Sequence, residues 1–268
     1  MTDHLLETFE DGIATLTMNR PEARNALSVE MQIALKDAAP RLANDPKVRV
    51  VVLTGAGGAF CSGGDVKGFA AGRASGGLSQ ESTLEERVTD LRARMDVSRW
   101  MHEMPKPTLA VIPGAAAGAG FSLALSCDMR IAADEAKMTT AFAKVGVSGD
   151  YGGSWFLPRL VGEAKARELY LFSDVITGAE AARLGIVNRS VPRAELAEAA
   201  QAWARKLAAL PPIAVAYMKD YFRASAHASL GDQLDREALG QSRTMMTEDH
   251  KAAARAFVEG TTPVFQGR

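Results

Sequence analysis

A glycine-rich turn between an apolar run and a helical pattern is the first candidate for chemistry in this sequence. Residues 108–112 (TLAVI) form an apolar run that Pro113 ends, and Gly118-Ala119-Gly120 lead into apolar residues at helical spacing from Phe121. A strand, a glycine-rich turn and a helix start in this order leave backbone N–H groups free above the turn. Such a turn binds a phosphate or stabilises an oxyanion, although small residues also let a helix pack closely on a sheet.

Another glycine-rich crossing, GAGGAFCSGGD (55–65), follows the apolar run 48–55. It is the first crossing in chain order, and the turn at 113–120 is the second. The two crossings lie about 55 residues apart, so two backbone turns can direct N–H groups at one point. The first crossing, 55–65, lacks the Gly-Lys-Ser/Thr ending of a nucleotide-binding loop and the spacing of a dinucleotide fingerprint. A metal site is disfavoured, because the four histidines (4, 102, 227 and 250) and the two cysteines are too scattered for a ligand set.

The elements that carry these crossings alternate strands with helices. Asp11-Gly12 predicts a hairpin between strands 5–9 and 13–18, and Ser28 caps a helix that Pro40 should kink or shorten. The order strand–strand–helix continues to about residue 192 and only helices follow, which predicts an α/β fold. Further predicted strands are 48–55, 108–112, 129–133, 137–139 and 186–191, and further predicted helices are 81–104, 154–159, 162–172, 178–184, 193–209, 212–224, 231–246 and 248–259. Residues 70–80 look flexible, and with the helix after them they form a candidate lid or a plain surface excursion.

The composition is that of a soluble globular protein. The chain has 268 residues, of which 47% are hydrophobic and 24% charged, and its formal net charge is −1. This balance gives no global field that would attract nucleic acid or an anionic membrane. The isolated Cys61 and Cys127 indicate reduced thiols, and the sequence shows neither a signal peptide nor an apolar run long enough to span a membrane. We therefore expect a cytoplasmic protein.

Short motifs form an ordered series along the chain: Asn19-Arg20-Pro21, Asn25-Ala26-Leu27, 59–65 (AFCSGGD), 114–128, Gly152-Gly153, 157–160 (LPRL), 181–185 (AARLG) and 257–260 (FVEG). At these residues, and over nearly its whole length, the chain resembles the crotonase superfamily, the enoyl-CoA hydratase/isomerase family. The resemblance implies a crotonase-like spiral of ββα units (1–192) followed by a C-terminal α-helical trimerisation region (193–268). It also implies a homotrimer, or a hexamer of two trimers, that acts on an acyl-CoA thioester without a metal or a separate cofactor.

By this resemblance, the backbone N–H groups of Gly64 and Ala119 form an oxyanion hole. A thioester carbonyl that accepts both hydrogen bonds becomes electron-poor, and negative charge that develops on its oxygen is stabilised. Arg24 resembles a basic contact to the CoA phosphates, and Phe257 resembles the aromatic contact to the CoA nucleotide. The remaining substrate contacts that the resemblance implies are Ala26, Ser62, Gly63, Asp65, Val66, Lys67, Gly118, Ser122, Phe142 and Tyr151.

Departures from the family pattern concern the residues that do the chemistry. Related hydratases use two glutamates to hold one water, and Ser122 and Phe142 stand at their places here. Neither side chain can replace a carboxylate as a base near neutral pH. Gly260 likewise stands where related hydratases often carry a phosphate-binding lysine, which moves that role to Arg24 or Lys67.

One carboxylate, Asp150, remains in the right neighbourhood, within the segment SGDYGG (148–153). Its position resembles the aspartate of family members that are ring-epoxide or double-bond isomerases, 4-chlorobenzoyl-CoA dehalogenases or naphthoate-ring synthases. A lone carboxylate beside an oxyanion hole suits removal of a proton from one carbon and its return to another, which is isomerisation of an enoyl-CoA. Phe142 and its apolar neighbours would exclude water and raise the pKa of this carboxyl. The structural alternative is that Asp150 caps the helix beginning near Gly152.

Other functions stay open at this point. An aryl-CoA dehalogenase or hydrolase needs Asp150 as a nucleophile and a histidine, and His102 is the one within plausible reach, although such a histidine is more often at the surface. A non-catalytic RNA-binding member of the family would need a basic helix face, whereas 81–104 mixes arginines with acidic residues. An enoyl-CoA hydratase with an unconventional acid or base would be restored by a carboxylate from the candidate lid helix: Glu81, Glu85 or Glu86.

Overall fold

The computed structural model describes residues 2–64 and 81–268, which include a hairpin, a largely parallel sheet and a series of helices. The strands are β1 Leu5–Glu10, β2 Ile13–Met18, β3 Val50–Gly55, β4 Thr108–Ile112, β5 Ala116–Ala117, β6 Met129–Ala133, β7 Lys137–Thr139, β8 Ile176–Thr177 and β9 Arg189–Val191. The helices are α1 Val29–Asn44, α2 Leu84–Glu103, α3 Ala119–Leu125, α4 Gly153–Val161, α5 Glu163–Phe172, α6 Gly178–Arg183, α7 Arg193–Ala208, α8 Pro212–Ser225, α9 Leu230–Met245 and α10 Glu248–Glu259.

The strands form two sheets. Among the described residues, the larger sheet has the order β1-β2-β3-β4-β6-β9 and the smaller one the order β5-β7-β8. β1 and β2 pair antiparallel, whereas β2, β3, β4, β6 and β9 pair in parallel. Parallel strands are normally buried on both faces, and every residue of β4 is indeed buried. The architecture confirms the predicted mixed α/β fold.

Helices close the core of the larger sheet. α1 buries an apolar face that includes Leu35 and Leu42, and α7 packs on β2, β3, β4, β6 and β9 through residues that include Leu196. α8 is joined to the strand region by Lys219, whose Nζ donates to Asp128 Oδ2 at 2.6 Å. The predicted domain boundary at residue 192 stays a prediction. No described helix is long and apolar enough to cross a membrane.

Most predicted elements are confirmed within a few residues, and the differences have physical reasons. Pro40 lies inside α1, which continues to Asn44 instead of stopping early. Burial of the apolar face of α1 outweighs the one backbone hydrogen bond that the proline removes. The strand predicted at 186–191 forms only over β9, and β5 and β8 were not predicted because two residues carry no periodic pattern. The predicted flexible segment 70–80 lies outside the described residues.

The two glycine-rich crossings lie against each other in direct backbone contact. Phe60 N and Cys61 N both donate to Ala115 O at 3.0 Å, and Ala117 N donates back to Cys61 O at 2.9 Å. Gly120, in the first turn of α3, has no room for a side chain, because a Cβ there would overlap the carbonyl oxygen and Cβ of Cys61. Tight packing therefore explains the small residues at this point, and the same packing brings the two turns together.

We expect Gly120→Ala to lower the free energy of unfolding by roughly 1–3 kcal/mol, because the added methyl group pushes α3 away from the first crossing. Gly231→Ala, near the start of α9, is the matched control, since its Cβ would approach only Ser229 Oγ, at 3.7 Å. The control should be neutral or stabilising by up to about 1 kcal/mol. Chemical denaturation of both variants measures the difference, and equal stability would contradict the packing argument.

Candidate active site

The backbone N–H groups of Gly64 and Ala119 lie where the two crossings pack against each other. Gly64 is bridged to Leu27, and Leu27 N donates to Gly63 O at 2.8 Å. Ala119 is the first residue of α3. A Cβ on Gly63, whose φ is 88°, would lie 3.4 Å from Ala119 N and 2.7 Å from Ala117 O, so only glycine fits this approach. In the described part of the chain neither the Gly64 nor the Ala119 N–H donates a hydrogen bond, which leaves both available to an acceptor oxygen.

An aromatic wall stands beside these two donors. Gly118 N donates to Thr139 O at 3.1 Å, which fixes the second crossing to β7. The ring of Phe142 lies 3.6 Å from the point where a side chain on Gly118 would begin. Phe142 also stacks on Tyr170, with 5.9 Å between ring centroids and 23° between ring planes. Phe142 is buried, so its ring forms an aromatic surface beside the turn at Gly118.

Asp150 lies in a strained turn between the aromatic wall and α4. Gly149, Tyr151 and Gly152 have positive φ values of 115°, 51° and 81°, and this conformation costs free energy for a tyrosine. Tyr151 is held in it by burial and by its Oη, which donates to Gln32 Oε1 at 2.8 Å. The anchored tyrosine holds the backbone next to Asp150 in place.

The carboxyl group of Asp150 is poised close to neutral pH. Its Oδ1 is buried and has no hydrogen-bond partner among the described residues. Burial raises the pKa of Asp150 from its ordinary value of 3.8 to about 6, and the positive charge of Arg94 opposes this rise. The direction of this shift agrees with the expectation from the sequence, and burial is its largest cause. The part that Phe142 plays in it stays a prediction.

The alternative role of Asp150 as a helix cap is wrong. The N-cap residue of α4 is Gly152, and no side chain caps this helix. The backbone carbonyl of Asp150, rather than its carboxylate, accepts a hydrogen bond of 3.3 Å from Gly153 N. The carboxylate is therefore not engaged in holding the helix.

A cavity of about 1000 Å³ opens beside the Asp150 turn. Tyr151 and Gly152 border it, and residues of α2, α4, α8 and α9 complete its lining. His102 belongs to this lining and packs edge-on against Trp155 and Phe156, at 5.1 and 5.3 Å between ring centroids.

His102 is half-buried rather than at the surface, and this burial lowers the pKa of its ring. The strongest charge acting on the ring is that of Asp128. In the described structure no hydrogen bond joins His102 to Asp150, and His102 Nε2 is buried without a partner. The geometry thus offers no histidine–Asp150 pair of the kind that the dehalogenase alternative requires.

The expected contacts to CoA are only partly brought together. Ser62 N donates to Arg24 O at 3.0 Å, so residues 24–26 lie beside the first crossing, with Arg24 exposed and Ala26 buried. Phe257, on α10, is 89% exposed and therefore contacts little of its own chain. The other expected contacts after the first crossing lie outside the described residues: Asp65, Val66 and Lys67.

The acidic residues around the start of α2 face solvent. Glu81, Glu85 and Glu86 are all exposed. Glu86 completes a capping box, in which Thr83 N donates to Glu86 Oε2 at 2.9 Å and Glu86 N donates to Thr83 Oγ1 at 3.2 Å. None of these three carboxylates enters the site in the described structure.

Buried polar residues around Asp150 were missed at the sequence level. Arg94 Nη1 donates to Gln32 Oε1 at 2.6 Å, across 62 residues of sequence. Tyr170 Oη and Ser122 Oγ meet at Gly153, where a Cβ would overlap both oxygens. The available signal was Gln32 itself, a polar residue on the apolar face of α1, but nothing local indicates its partner.

The chain is similar to known enoyl-CoA hydratases and isomerases over nearly its full length. Residues 8–268 match the family model described as enoyl-CoA hydratase/isomerase. The chain is 39% identical over 258 residues to a probable enoyl-CoA hydratase of Rhodobacter capsulatus, covering 96% of each protein. It is 33% identical over 268 residues to 1,2-epoxyphenylacetyl-CoA isomerase of Escherichia coli, covering 100% of each. Its fold matches the crystal structure of an enoyl-CoA hydratase from Polaromonas sp. JS666 with a TM-score of 0.89 at 32% identity, covering 97% of this chain and 99% of that one.

We expect Asp150→Asn to raise the free energy of unfolding near pH 7.5 by about 1–3 kcal/mol, because only the folded state disfavours the ionised carboxylate. The folded pKa of about 6 lies above the unfolded value near 3.8. The penalty is therefore absent below about pH 4, grows between the two pKa values and is constant above them. Chemical denaturation at both ends of this window measures it, with the exposed Asp37→Asn as control. A gain that is equal at both ends would contradict the buried-carboxylate argument.

Proposed function

The chain belongs to the enoyl-CoA hydratase/isomerase family, and on that premise we propose that it isomerises an enoyl-CoA thioester, with Asp150 as its proton carrier. The resemblance drawn from the motifs, the crotonase-like fold and the enzymatic nature of the chain are confirmed. The observation that carries the proposal is the Asp150 carboxyl, whose Oδ1 is buried and whose pKa is raised to about 6. It lies near the crossings, whose Gly64 and Ala119 N–H groups have no acceptor among the described residues. A group with such a pKa can both accept and return a proton near neutral pH.

The proposed reaction starts with the thioester oxygen accepting hydrogen bonds from the N–H groups of Gly64 and Ala119. Asp150 removes a proton from the α carbon, and the electrons of that C–H bond move toward the carbonyl to form an enolate. The two N–H groups stabilise the charge on the enolate oxygen. When the enolate collapses, the double bond shifts by one position and Asp150 delivers the proton to the γ carbon. The proton and the electron pair stay in the product, so no further reactant is needed.

The surroundings of the carboxylate favour proton transfer over addition of water. Addition of water needs a group that holds and activates the water molecule, and the family resemblance puts Ser122 and Phe142 at the two glutamate positions. Ser122 is buried against Gly153, and Phe142 belongs to the aromatic wall. The exposed carboxylates at the start of α2 do not make up for the missing pair.

The cavity beside Tyr151 is the proposed place of the acyl group, since it opens next to the residue that follows the proton carrier. A cavity of about 1000 Å³ leaves room for a ring or a branched chain. The exposed Arg24, next to the first crossing, is the proposed contact for the CoA phosphates. We propose no cofactor and no metal, because CoA is part of the substrate.

Hydration is the second candidate function, and the name of the Rhodobacter capsulatus relative favours it. In that case Asp150 alone would activate the water and protonate the α carbon. Hydration and isomerisation give different products from the same thioester, so one assay separates them.

We also propose a homotrimer, or a hexamer of two trimers, as the assembled state. The support is a group of large apolar side chains that α8, α9 and α10 leave exposed in the single chain. Exposed apolar surface of this extent is typical of subunit contacts. The group includes Met218, Phe222, Leu230, Leu234, Leu239, Phe257 and Val258.

The proposal is tested with 2-enoyl-, 3-enoyl- and aryl-CoA thioesters in deuterated water. We expect the double bond to move and deuterium to enter the carbons that exchange the proton, without net addition of water. Asp150→Asn should lower kcat by about 10²–10⁴-fold and leave CoA binding intact, because the amide cannot carry the proton. The wild-type kcat/KM should fall about tenfold per pH unit below pH 6, where Asp150 becomes protonated.

Asp37→Asn, which removes an exposed carboxylate, is the control and should keep the wild-type rate. A 3-hydroxyacyl product would contradict isomerisation and support hydration. Near-full activity of Asp150→Asn would remove Asp150 from the mechanism.

The proposed oxyanion hole is tested by removing one of its N–H groups. Ala119→Pro deletes one of the two N–H donors at the first position of α3, where a helix tolerates proline. We expect kcat to fall by about 10²–10³-fold, because the developing charge loses one hydrogen bond. Val29→Pro, at the first position of α1, is the matched control and should keep both fold and rate. An Ala119→Pro variant that is folded by circular dichroism and fully active would exclude this N–H from catalysis.

A further inference from the structure

A buried chain of polar contacts runs behind Asp150. Arg94 Nη1 donates to Gln32 Oε1 at 2.6 Å, and Tyr151 Oη donates to the same oxygen at 2.8 Å. Arg94 Nη2 donates to Asp90 Oδ2 at 2.6 Å, which pairs the two charges one helical turn apart on α2. Arg94 is 5% exposed and Gln32 is 7% exposed, so the contacts lie inside the protein.

The same chain of contacts reaches the first glycine-rich crossing. Gln32 Nε2 donates to Leu27 O at 3.3 Å. Leu27 N in turn donates to Gly63 O at 2.8 Å, and Leu27 is bridged to Gly64. Gln32 thus contacts, on one side, the Leu27 backbone, which is bridged to the proposed oxyanion donor Gly64. On its other side it contacts Tyr151, the residue that follows the proposed proton carrier.

The buried arginine has no evident purpose in stability alone. Taking a guanidinium out of water costs free energy that one carboxylate partner seldom recovers, and Arg94 Nε has no partner in the described structure. An apolar residue at this position of α2 would avoid the cost. What Arg94 does achieve is a positive charge close enough to Asp150 to favour its ionised form.

Other titratable groups near Asp150 could also change its pKa if they gained or lost a proton between about pH 5 and pH 9. Burial raises the pKa values of Cys61 and Tyr170 to about 12, and also raises the pKa of Tyr151. These three groups therefore stay neutral in this range. On α2, Arg94 acts on Asp150, and Arg94 and Asp90 both act on Tyr151. Arg92, Arg99 and Glu103 of the same helix line the neighbouring cavity.

We propose that Arg94 is a positioning residue for the reaction: held by Gln32 and Asp90, it keeps the buried Asp150 ionised and ready to accept a proton. Gln32 gives this charge a fixed place relative to both halves of the site, because it binds Arg94, Tyr151 and the Leu27 backbone at once. The inference rests on the proposed role of Asp150 as proton carrier, and it adds the group that sets the pH range in which this carrier works.

The test is the titration of Asp150 in Arg94 variants of the full-length enzyme. Arg94→Gln keeps a hydrogen-bonding side chain but removes the charge, and Arg94→Lys keeps the charge. We expect Arg94→Gln to move the acidic limb of kcat/KM upward by roughly one pH unit. The rate should then fall about fivefold at pH 6 and stay near wild type at pH 9. Arg94→Lys should restore the wild-type limb.

A purely structural role would lower the rate equally at all pH values and leave the limb in place, which would overturn the inference. The double variant Asp90→Asn/Arg94→Gln leaves no unpaired charge, and it should fold and still show the raised limb if the single variant is unstable. ¹³C NMR of the Asp150 carboxyl, assigned from its loss in Asp150→Asn, follows the same titration without turnover.

The failures of the two proposals are distinguishable. Full activity of Asp150→Asn removes the proton carrier, whereas the NMR titration still decides whether Arg94 controls this carboxyl. An unmoved NMR titration in Arg94→Gln removes the role of Arg94 even if Asp150→Asn is inactive.

Discussion

The backbone contact between the two glycine-rich crossings is the constraint on which the site depends. Ala117 N and Cys61 O are joined by a hydrogen bond of 2.9 Å, and Gly120 leaves no space for a side chain between α3 and the first crossing. Because backbone atoms rather than side chains make this approach, the distance between the two N–H donors is set by the packing of the fold itself.

The charge balance at Asp150 is the second constraint, and it follows from burial. Burial makes the Asp150 carboxyl harder to ionise and raises its pKa to about 6. Without an opposing positive charge, burial would raise this pKa further and lower the ionised fraction of the carboxyl at neutral pH. Arg94 opposes this rise, so burial and the buried cation act on the pKa of Asp150 in opposite directions.

The fold and the two glycine-rich crossings could be predicted from local sequence patterns. The buried contact between Gln32 and Arg94 could not. The hairpin at Asp11-Gly12, the buried run of β4 and the C-terminal helices are written in periodicity and turn residues, and the crossings are visible from their glycines. Asp150 was found because family motifs identified its neighbourhood. Gln32 and Arg94 were missed because their contact joins residues 62 positions apart, and the pairing of two helix faces leaves no trace in either segment alone. The continuation of α1 through Pro40 was also missed, since tertiary burial outweighed a local helix breaker.

Departures from the lowest free energy gather around this one carboxylate. Arg94 Nε and Asp150 Oδ1 are buried without partners in the described structure, and Tyr151 keeps a positive φ. Each such feature costs about 1–3 kcal/mol, and a fold selected for stability alone would replace these groups by apolar side chains. These features lie in the same region as the Gly64 and Ala119 N–H groups, which have no acceptor among the described residues. Such departures typically gather at functional sites. The cost is borne by the packing of α1, α2 and α4, which hold the strained turn from three sides and prevent it from relaxing.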